Sequence, residues 1–268
     1  LEGNGVFVFG LTLEDVINAL LNYSLNNDLS KYAVIIPDNE YGKRIKNEIE
    51  NFKVKDTSLV FKYVFYNSKS PDFYGISKTV SDYEERRIKL ENEIELLEKD
   101  SSENALKKLK KLKKLDTYGE LDFQAILILT QNFDELSKLS SILPYYDVDP
   151  KEIQYMGNSI WSKDLSLKEP GLDGGYFTTF NIDYQRNFEE EYFNIFAHKP
   201  HALASLTYDL VGLISKLHLN SNFFTIEQLY VDAGFVGING WFKINRNGKV
   251  FRQLSIYKIR NQKFVSLN

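Results

Sequence analysis

The chain has 268 residues, a formal net charge of −4 and no cysteine. The lack of thiols excludes disulfides, a cysteine nucleophile and a cysteine-ligated metal, and the acidic balance argues against nucleic-acid binding. Apolar residues make up 43% of the chain, which is ordinary for a globular protein with a sizeable core. The longest apolar runs are too short to span a membrane.

Strands and helices alternate along the first 160 residues. After a strand at Val6–Phe9, Thr12 caps a helix that runs to about Asn26. Further strands are predicted at Tyr32–Ile36, Leu59–Tyr66, Phe123–Leu129 and Ile153–Met156. The stripes Ile45–Ile49–Phe52 and Leu136–Leu139–Leu143 mark two more helices. This alternation predicts an α/β fold with a doubly wound parallel sheet that helices cover on both faces.

The segment 77–115 interrupts this alternation. Apolar residues from Ile76 to Leu97 recur at heptad spacing, and a second run contains Leu106, Leu109, Leu112 and Leu115. Glutamates dominate the first arm and lysines the second, with a break at Ser101-Ser102. Opposite charges on two antiparallel arms predict a helical hairpin. It is either a docking arm or basic patch for an anionic polymer, or a solvated insertion whose charges keep the protein in solution.

The second half of the chain becomes rich in strands towards its end. A strand at Gly174–Phe180 precedes helices at about 187–196 and 202–217, and a short helix starts at Thr225. Two strands, Trp241–Ile244 and Val250–Ile259, flank the turn Asn247-Gly248 and predict a β-hairpin. Gln262–Leu267 adds a further strand.

No arrangement of residues in the sequence indicates catalysis. Pro200 separates His198 from His201, so these two cannot share a regular helix face as metal ligands. Ser205 precedes Asp209 but lies outside any Gly-x-Ser-x-Gly turn, and no glycine-rich phosphate loop follows a strand. We predict a protein without catalytic residues, metal or cofactor; an α/β enzyme of unrecognised type remains a third alternative.

Polar and aromatic residues follow three of the predicted strands. Asp38–Gly42 follows the strand Tyr32–Ile36, Thr130–Asn132 follows Phe123–Leu129, and Gly157–Trp161 follows Ile153–Met156. Carboxyl ends of parallel strands meet at one edge of a sheet, so these loops predict a ligand-binding cleft. The alternative is helix capping by Asn39, Asn132 and Asn158.

Several segments resemble one known family in their order along the chain. They are Phe9–Asp15, Val34–Gly42, Asp122–Ile126, Leu143–Asp147, Met156-Gly157 with Trp161, Pro200 with Leu203–Asp209, and Gly234–Ile244 with Asn247-Gly248 and Arg252. Together they resemble the type I periplasmic-binding-protein family, above all its penicillin-binding-protein-activator branch of envelope lipoproteins. The helical insertion between the strands Leu59–Tyr66 and Phe123–Leu129 also fits that branch.

The resemblance implies two α/β lobes with a cleft between them. Residues 1–10 would be a remnant of the first lobe, and residues 11–170 would form the second lobe with the hairpin 77–115. Residues 171–233 would return to the first lobe, and residues 234–268 would form a C-terminal hairpin that closes on the second. Relatives begin with roughly a hundred further residues that are not in this sequence, so the first lobe is expected to be incomplete.

The resemblance also implies site residues and a function. The candidate cleft residues are Tyr41, Thr130, Gln131, Asn158, Ser159 and Trp161. Amino-acid binders of the family place an acidic residue near Ser159, so the serine argues against amino-acid binding. We expect a periplasmic, non-enzymatic regulator of a peptidoglycan synthase, anchored to the outer membrane by a lipid outside this chain. The alternative is a solute-binding receptor for a small polar ligand such as an amino acid, serving an ABC transporter.

Overall fold

The computed structural model describes residues 6–54, 56–201, 203–219 and 225–267. Its strands are β1 Lys31–Pro37, β2 Val60–Tyr66, β3 Ala125–Ile128, β4 Gln154–Gly157, β5 Tyr176–Thr179, β6 Phe235–Gly237, β7 Gly240–Ile244, β8 Val250–Arg252, β9 Ser255–Arg260 and β10 Lys263–Ser266. Its α-helices are α1 Leu13–Leu25, α2 Glu40–Lys53, α3 Phe73–Val80, α4 Tyr83–Glu98, α5 Glu103–Leu112, α6 Phe133–Ile142, α7 Ile182–Phe196 and α8 Ala204–Leu219. Within these ranges no helix is long and apolar enough to cross a membrane.

Seven strands form one large sheet in the order β10-β9-β5-β4-β3-β1-β2. Strands β1 to β5 are parallel to one another. Strand β9 pairs antiparallel with β5, and β10 pairs antiparallel with β9 at the edge of the sheet. The mostly parallel sheet with its intervening helices confirms the predicted α/β fold class.

Helices cover both faces of the large sheet because its central strands are apolar on both sides. On β1, Val34 and Ile36 join a core with α1 and α2. Ala33 and Ile35 point to the opposite core, formed with α3 and α6. Side chains alternate between the faces of a strand, so a continuous apolar strand fills both cores at once.

A second, smaller sheet contains β6, β7 and β8 in antiparallel order. The small sheet has a minor core of its own, in which Leu213 of α8 packs with Phe242 of β7. The predicted hairpin around Asn247-Gly248 is present as β7 and β8. The predicted single strand Val250–Ile259 is wrong, because β8 ends at Arg252 and β9 enters the large sheet instead.

Three segments of chain connect the two sheets. They lie before α1, between β5 and α7, and between β8 and β9. The predicted strand Val6–Phe9 forms an isolated bridge between Val8 and Lys249, and residues 1–5 of the predicted remnant lie outside the described part. Strand β5, inside the predicted segment 171–233, belongs to the large sheet. The division into lobes itself stays a prediction.

The charged insertion forms two helices, α4 and α5, joined by residues 99–102. The heptad pattern predicted one long first arm, but Asp82 in the left-handed region (φ 51°) separates α3 from α4. The chain then returns to the base of α4, where the Tyr118 N–H donates to the Arg86 carbonyl at 3.1 Å. Of the apolar run predicted for the second arm to face back towards the first, Leu112 is buried, whereas Leu106 and Leu115 are exposed.

Candidate functional site

A cleft of about 600 Å³ lies where the carboxyl ends of the large-sheet strands meet the small sheet. Its large-sheet wall contains Thr12 to Val16, Tyr41, Arg44, Glu48, Asn158 and Ser159, and its other wall contains Val8, Asn245 and Lys249 to Phe251. Three predicted site residues, Tyr41, Asn158 and Ser159, therefore line the cleft. Thr130, Gln131 and Trp161 are not among its lining residues.

Tyr41 is the aromatic residue of the cleft, at the start of α2. The sharp turn before it requires Gly42, since a Cβ there would lie 1.9 Å from the Pro37 carbonyl oxygen. Asn158 Nδ2 donates to the Tyr41 hydroxyl at 3.1 Å. Burial raises the pKa of Tyr41 above its ordinary value, so the phenol is neutral at physiological pH and keeps its own proton for donation.

Asn158 makes three side-chain hydrogen bonds inside the protein, which use both N–H donors of its amide and one acceptor site of Oδ1. Besides its bond to Tyr41, Nδ2 donates to the Thr130 carbonyl at 3.0 Å, and Oδ1 accepts from the Ile160 N–H at 3.1 Å. Its side chain is buried. Asn158 therefore positions Tyr41 and joins the ends of β3 and β4, and a ligand could accept a hydrogen bond from its NH2 group only by displacing these partners.

Thr130 and Gln131 are also held by internal hydrogen bonds. Thr130 is fully buried, and its hydroxyl donates to the Asn132 carbonyl at 3.1 Å. Gln131 is exposed and accepts from Asn39 Nδ2 at 2.8 Å. Asn39, Asn132 and Asn158 all accept backbone N–H groups at the starts of helices. The capping alternative is thus what the structure contains at these three loops.

Trp161 lies in the core and not at the cleft. It is fully buried, in the apolar cluster that includes Leu172 and Phe177. Gly157 allows this close packing, because a Cβ at that position would lie 1.8 Å from the indole nitrogen. Trp161 can therefore support the Gly157–Asn158 turn but cannot touch a molecule in the cleft.

Arg252, at the junction of the two sheets, is a residue that the sequence-based site prediction missed. Its side chain is buried, and its guanidinium carbon lies 4.3 Å from the ring centre of Phe9, 4.9 Å from Phe242 and 5.5 Å from Phe180. The guanidinium nitrogens have no hydrogen-bond partner among the described residues. One signal in the sequence is that Arg252 lies two residues from the apolar Val250 and Leu254, at the spacing of residues on one face of a strand.

Two buried carboxylates accompany this cation. Burial lowers the pKa of Arg252, and the charges of Asp209 and Asp15 oppose that shift. Phe9 and Phe180 stand on two of the connecting segments, and Arg252 is the last residue of β8, directly before the third. The cation–π contacts therefore join all three connections where the two sheets meet.

Asp209 holds α8 to the turn between β6 and β7. Its carboxylate accepts from the Ile238 N–H at 2.6 Å and from Asn239 Nδ2 at 2.7 Å. Ser205 donates to Asn239 Oδ1 at 3.1 Å. The Ser205 and Asp209 noted in the sequence therefore belong to a buried structural network.

Charges line the mouth of the cleft. Lys249 Nζ lies 2.8 Å from Glu14 Oε2, which links the small-sheet side to the start of α1. Arg44 and Glu48 supply further charge on the same wall. In the part of the chain described, no group of three or more acidic or histidine side chains is arranged to hold a metal ion.

Comparison with solved structures identifies the fold. Over 98% of this chain, the structure matches 64% of a branched-chain amino acid ABC transporter periplasmic ligand-binding protein from Burkholderia xenovorans, with 11% identity and a TM-score of 0.66. The chain has the fold of the type I periplasmic binding proteins. A leucine-binding protein, LivK, from Thermotoga maritima matches with 14% identity and a TM-score of 0.60, over 97% of this chain and 66% of that one.

A regulator has the same fold. The C-domain of LpoA from Haemophilus influenzae, described as a regulator of PBP1A, matches over 99% of this chain and 70% of its own, with 14% identity and a TM-score of 0.62. These three neighbours are binding proteins and a regulator, not enzymes. No family model and no curated protein matches the sequence. The chain spans less than two thirds of the Burkholderia protein, and at these identities the likeness shows the fold alone.

Proposed function

We propose that the chain is a non-enzymatic cell-envelope protein that regulates a peptidoglycan synthase through protein contacts. The observation that supports this is the internal bonding of the strand-end loops. The side chains that would face a ligand instead contact one another: Asn158 holds Tyr41 and the Thr130 carbonyl, and Asn39 holds Gln131. A site in this state is stable without a ligand, as expected for a scaffold whose partner binds elsewhere.

The proposal includes a location and a partner. The protein acts in the periplasm, held at the outer membrane by a lipid anchor in the full-length protein, and contacts a penicillin-binding protein there. The resemblance of the sequence segments supports this, together with the likeness to the LpoA C-domain.

A reconstituted synthesis assay tests the regulatory role. A purified bifunctional peptidoglycan synthase is incubated with lipid-linked substrate, with and without the chain, and glycan polymerisation and cross-linking are measured. We expect direct binding to the synthase and a changed rate, with no turnover by the chain alone. Absence of both binding and rate change would contradict the proposal, as would turnover of a peptidoglycan fragment abolished by one point mutation.

A solute-binding receptor is the second candidate, and one observation favours it. Tyr41 and Ser159 both line the 600 Å³ cleft, a volume within the range of small-molecule sites. Calorimetry against an amino-acid panel separates the candidates. We expect weak or no binding; a micromolar dissociation constant, about −8 kcal/mol, lost in Tyr41→Ala but kept in Tyr145→Ala, would favour the receptor.

A further inference from the structure

The outward side of α5 carries a continuous row of positive charge. Its buried side consists of Ala105 and Leu112, with the partly buried Leu109 between them. At about 100° per residue, the opposite side of the helix and of the turn that follows it presents four lysines. These lysines, here called the lysine stripe, are Lys107, Lys110, Lys111 and Lys114, and all four are exposed.

The lysines beside the stripe already bind carboxylates of a neighbouring helix. Lys108 Nζ lies 2.5 Å from Glu93, and Lys113 Nζ lies 2.6 Å from Glu98, both on α4. Within the stripe, Lys107 pairs with Glu103 on its own helix. Lys110, Lys111 and Lys114 make no ion pair with any described residue. Lys108 and Lys113 thus pair with a glutamate-rich helix, whereas three of the four lysines of the stripe have the same chemistry and no acidic partner among the described residues.

The hairpin presents this stripe from a fixed base. Arg86 Nε and Nη2 donate to the Gly119 carbonyl at 3.1 and 2.8 Å, and its Nη1 lies 3.1 Å from an Asp147 carboxylate oxygen. These bonds tie the start of α4 to the end of the insertion and to the body of the protein. A held surface loses less conformational freedom when a partner binds.

Apolar side chains border the stripe. Leu106 is 54% exposed and Leu115 is 50% exposed. Helical geometry puts Leu106 beside the lysines, and Leu115 directly follows Lys114 in the chain. We propose that the lysine stripe docks an acidic polypeptide segment of a partner protein, one that carries carboxylates interspersed with apolar residues. The carboxylates meet the lysines and the apolar residues cover the two leucines.

The surroundings of the stripe favour a narrow ligand over an anionic membrane. The stripe spans seven residue steps, about 10 Å of helix. Exposed acidic residues lie beside it near the connection between the helices: Glu103 pairs with Lys107 of the stripe, Glu98 pairs with Lys113, and Asp100 lies in the connection itself. A planar anionic bilayer pressed against the stripe would also approach these carboxylates, whereas a single acidic segment can lie along Lys110, Lys111 and Lys114 only.

Fluorescence anisotropy with a labelled helical peptide of glutamate and leucine tests the proposal on the full chain. The stripe variant changes all four lysines to glutamine, which keeps helix propensity and is checked by circular dichroism. The control variant removes the same charge elsewhere, with exposed Lys151, Lys163, Lys168 and Lys263 changed to glutamine. Both proteins are also mixed with phosphatidylglycerol vesicles.

We expect the stripe variant to bind the peptide about tenfold more weakly than the parent, and the control variant within about twofold of it. Parent binding should weaken as salt rises, because exposed charges are screened. Equal binding by the two variants would overturn the proposal. Vesicle binding that depends on the stripe, without peptide binding, would overturn it in favour of a membrane. This surface is separate from the cleft, so either result leaves the synthase proposal to its own test.

Discussion

The two sheets bury the helices around them to different extents. Helices α1, α2, α3 and α6 cover the large sheet, and their apolar residues lie in two continuous cores. Helices α7 and α8 pack beside the small sheet but keep large apolar side chains on the surface. In and next to these two helices, the exposed apolar residues described by the structure include Tyr184, Phe193, Ile195, Phe196, Leu203, Tyr208, Leu210, Val211, Ile214 and Leu219.

This difference suggests that the large sheet mainly stabilises the fold, whereas the surface of α7 and α8 is available for contacts. Burial of apolar surface is the main favourable term in folding, so the large sheet supplies most of the stability described here. Exposed apolar side chains grouped on neighbouring helices are typical of surfaces that contact another polypeptide. The α7–α8 surface is therefore expected to contribute contacts more than stability.

The largest expected effect comes from a pair of truncations, one beside each sheet. Trp161→Ala should lower the free energy of unfolding by about 3 to 5 kcal/mol, because it leaves a cavity in the large core. Ile195→Ala should change it by less than about 0.5 kcal/mol, since Ile195 is 73% exposed. Denaturant titration of both variants measures the contrast, and similar losses would contradict it.

The junction between the sheets provides the next test. Arg252→Met should destabilise the protein by about 3 kcal/mol, because the cation–π contacts with three rings are lost and the buried carboxylates of Asp15 and Asp209 lose a nearby positive charge. Arg252→Lys keeps the charge but not the flat stacking on three rings, and should fall between parent and methionine variant. Unfolding measured by fluorescence gives the values. A methionine variant as stable as the parent would show that the cation–π cluster adds nothing.

Asp15 predicts a pH dependence at the same junction. Burial raises the pKa of Asp15 above 3.8, with hydrogen bonds from Thr12 and from the Arg252 N–H opposing. The folded protein thus holds this proton more tightly than the unfolded chain. Its contribution to stability is complete below the unfolded pKa and is lost as pH rises through the folded pKa.

Asp15→Asn should remove the loss of stability that deprotonation of Asp15 causes as pH rises. Relative to the variant, the parent should become less stable as pH rises from about 4 towards 7. Denaturant unfolding across this range checks the sign, with the exposed Glu120→Gln as the control. A parent that gains stability against the variant over the same range would refute the prediction.

The smallest effect on stability is expected at the exposed face of α8. Changing Val211 and Ile214 together to glutamine should alter the free energy of unfolding by less than about 0.5 kcal/mol. The same change should reduce binding of an apolar dye and self-association, because both need the exposed apolar surface. Lys216→Gln on the same helix serves as control. Unchanged dye binding with a large loss of stability would mean that this face is internal packing.

Much of the large sheet could be predicted from local patterns. The continuous apolar run of β1 predicts a strand buried on both faces, and asparagines before α2 and α6 predict where these helices begin. Opposite charge runs predicted the helical hairpin. These features follow from sequence because period, capping and charge pairing act between residues that are near one another in the chain.

Only the tertiary structure decided how these parts meet. Tyr41 contacts Asn158 across 117 residues of sequence, so no local pattern could show that the strand-end loops bind one another. Val250 to Ile259 has the pattern of one uninterrupted strand, yet its first residues form β8 in the small sheet and its last residues form β9 in the large sheet. The positions of Trp161 and Arg252 depend on the same long-range packing, because burial is set by whichever distant segments close over a side chain.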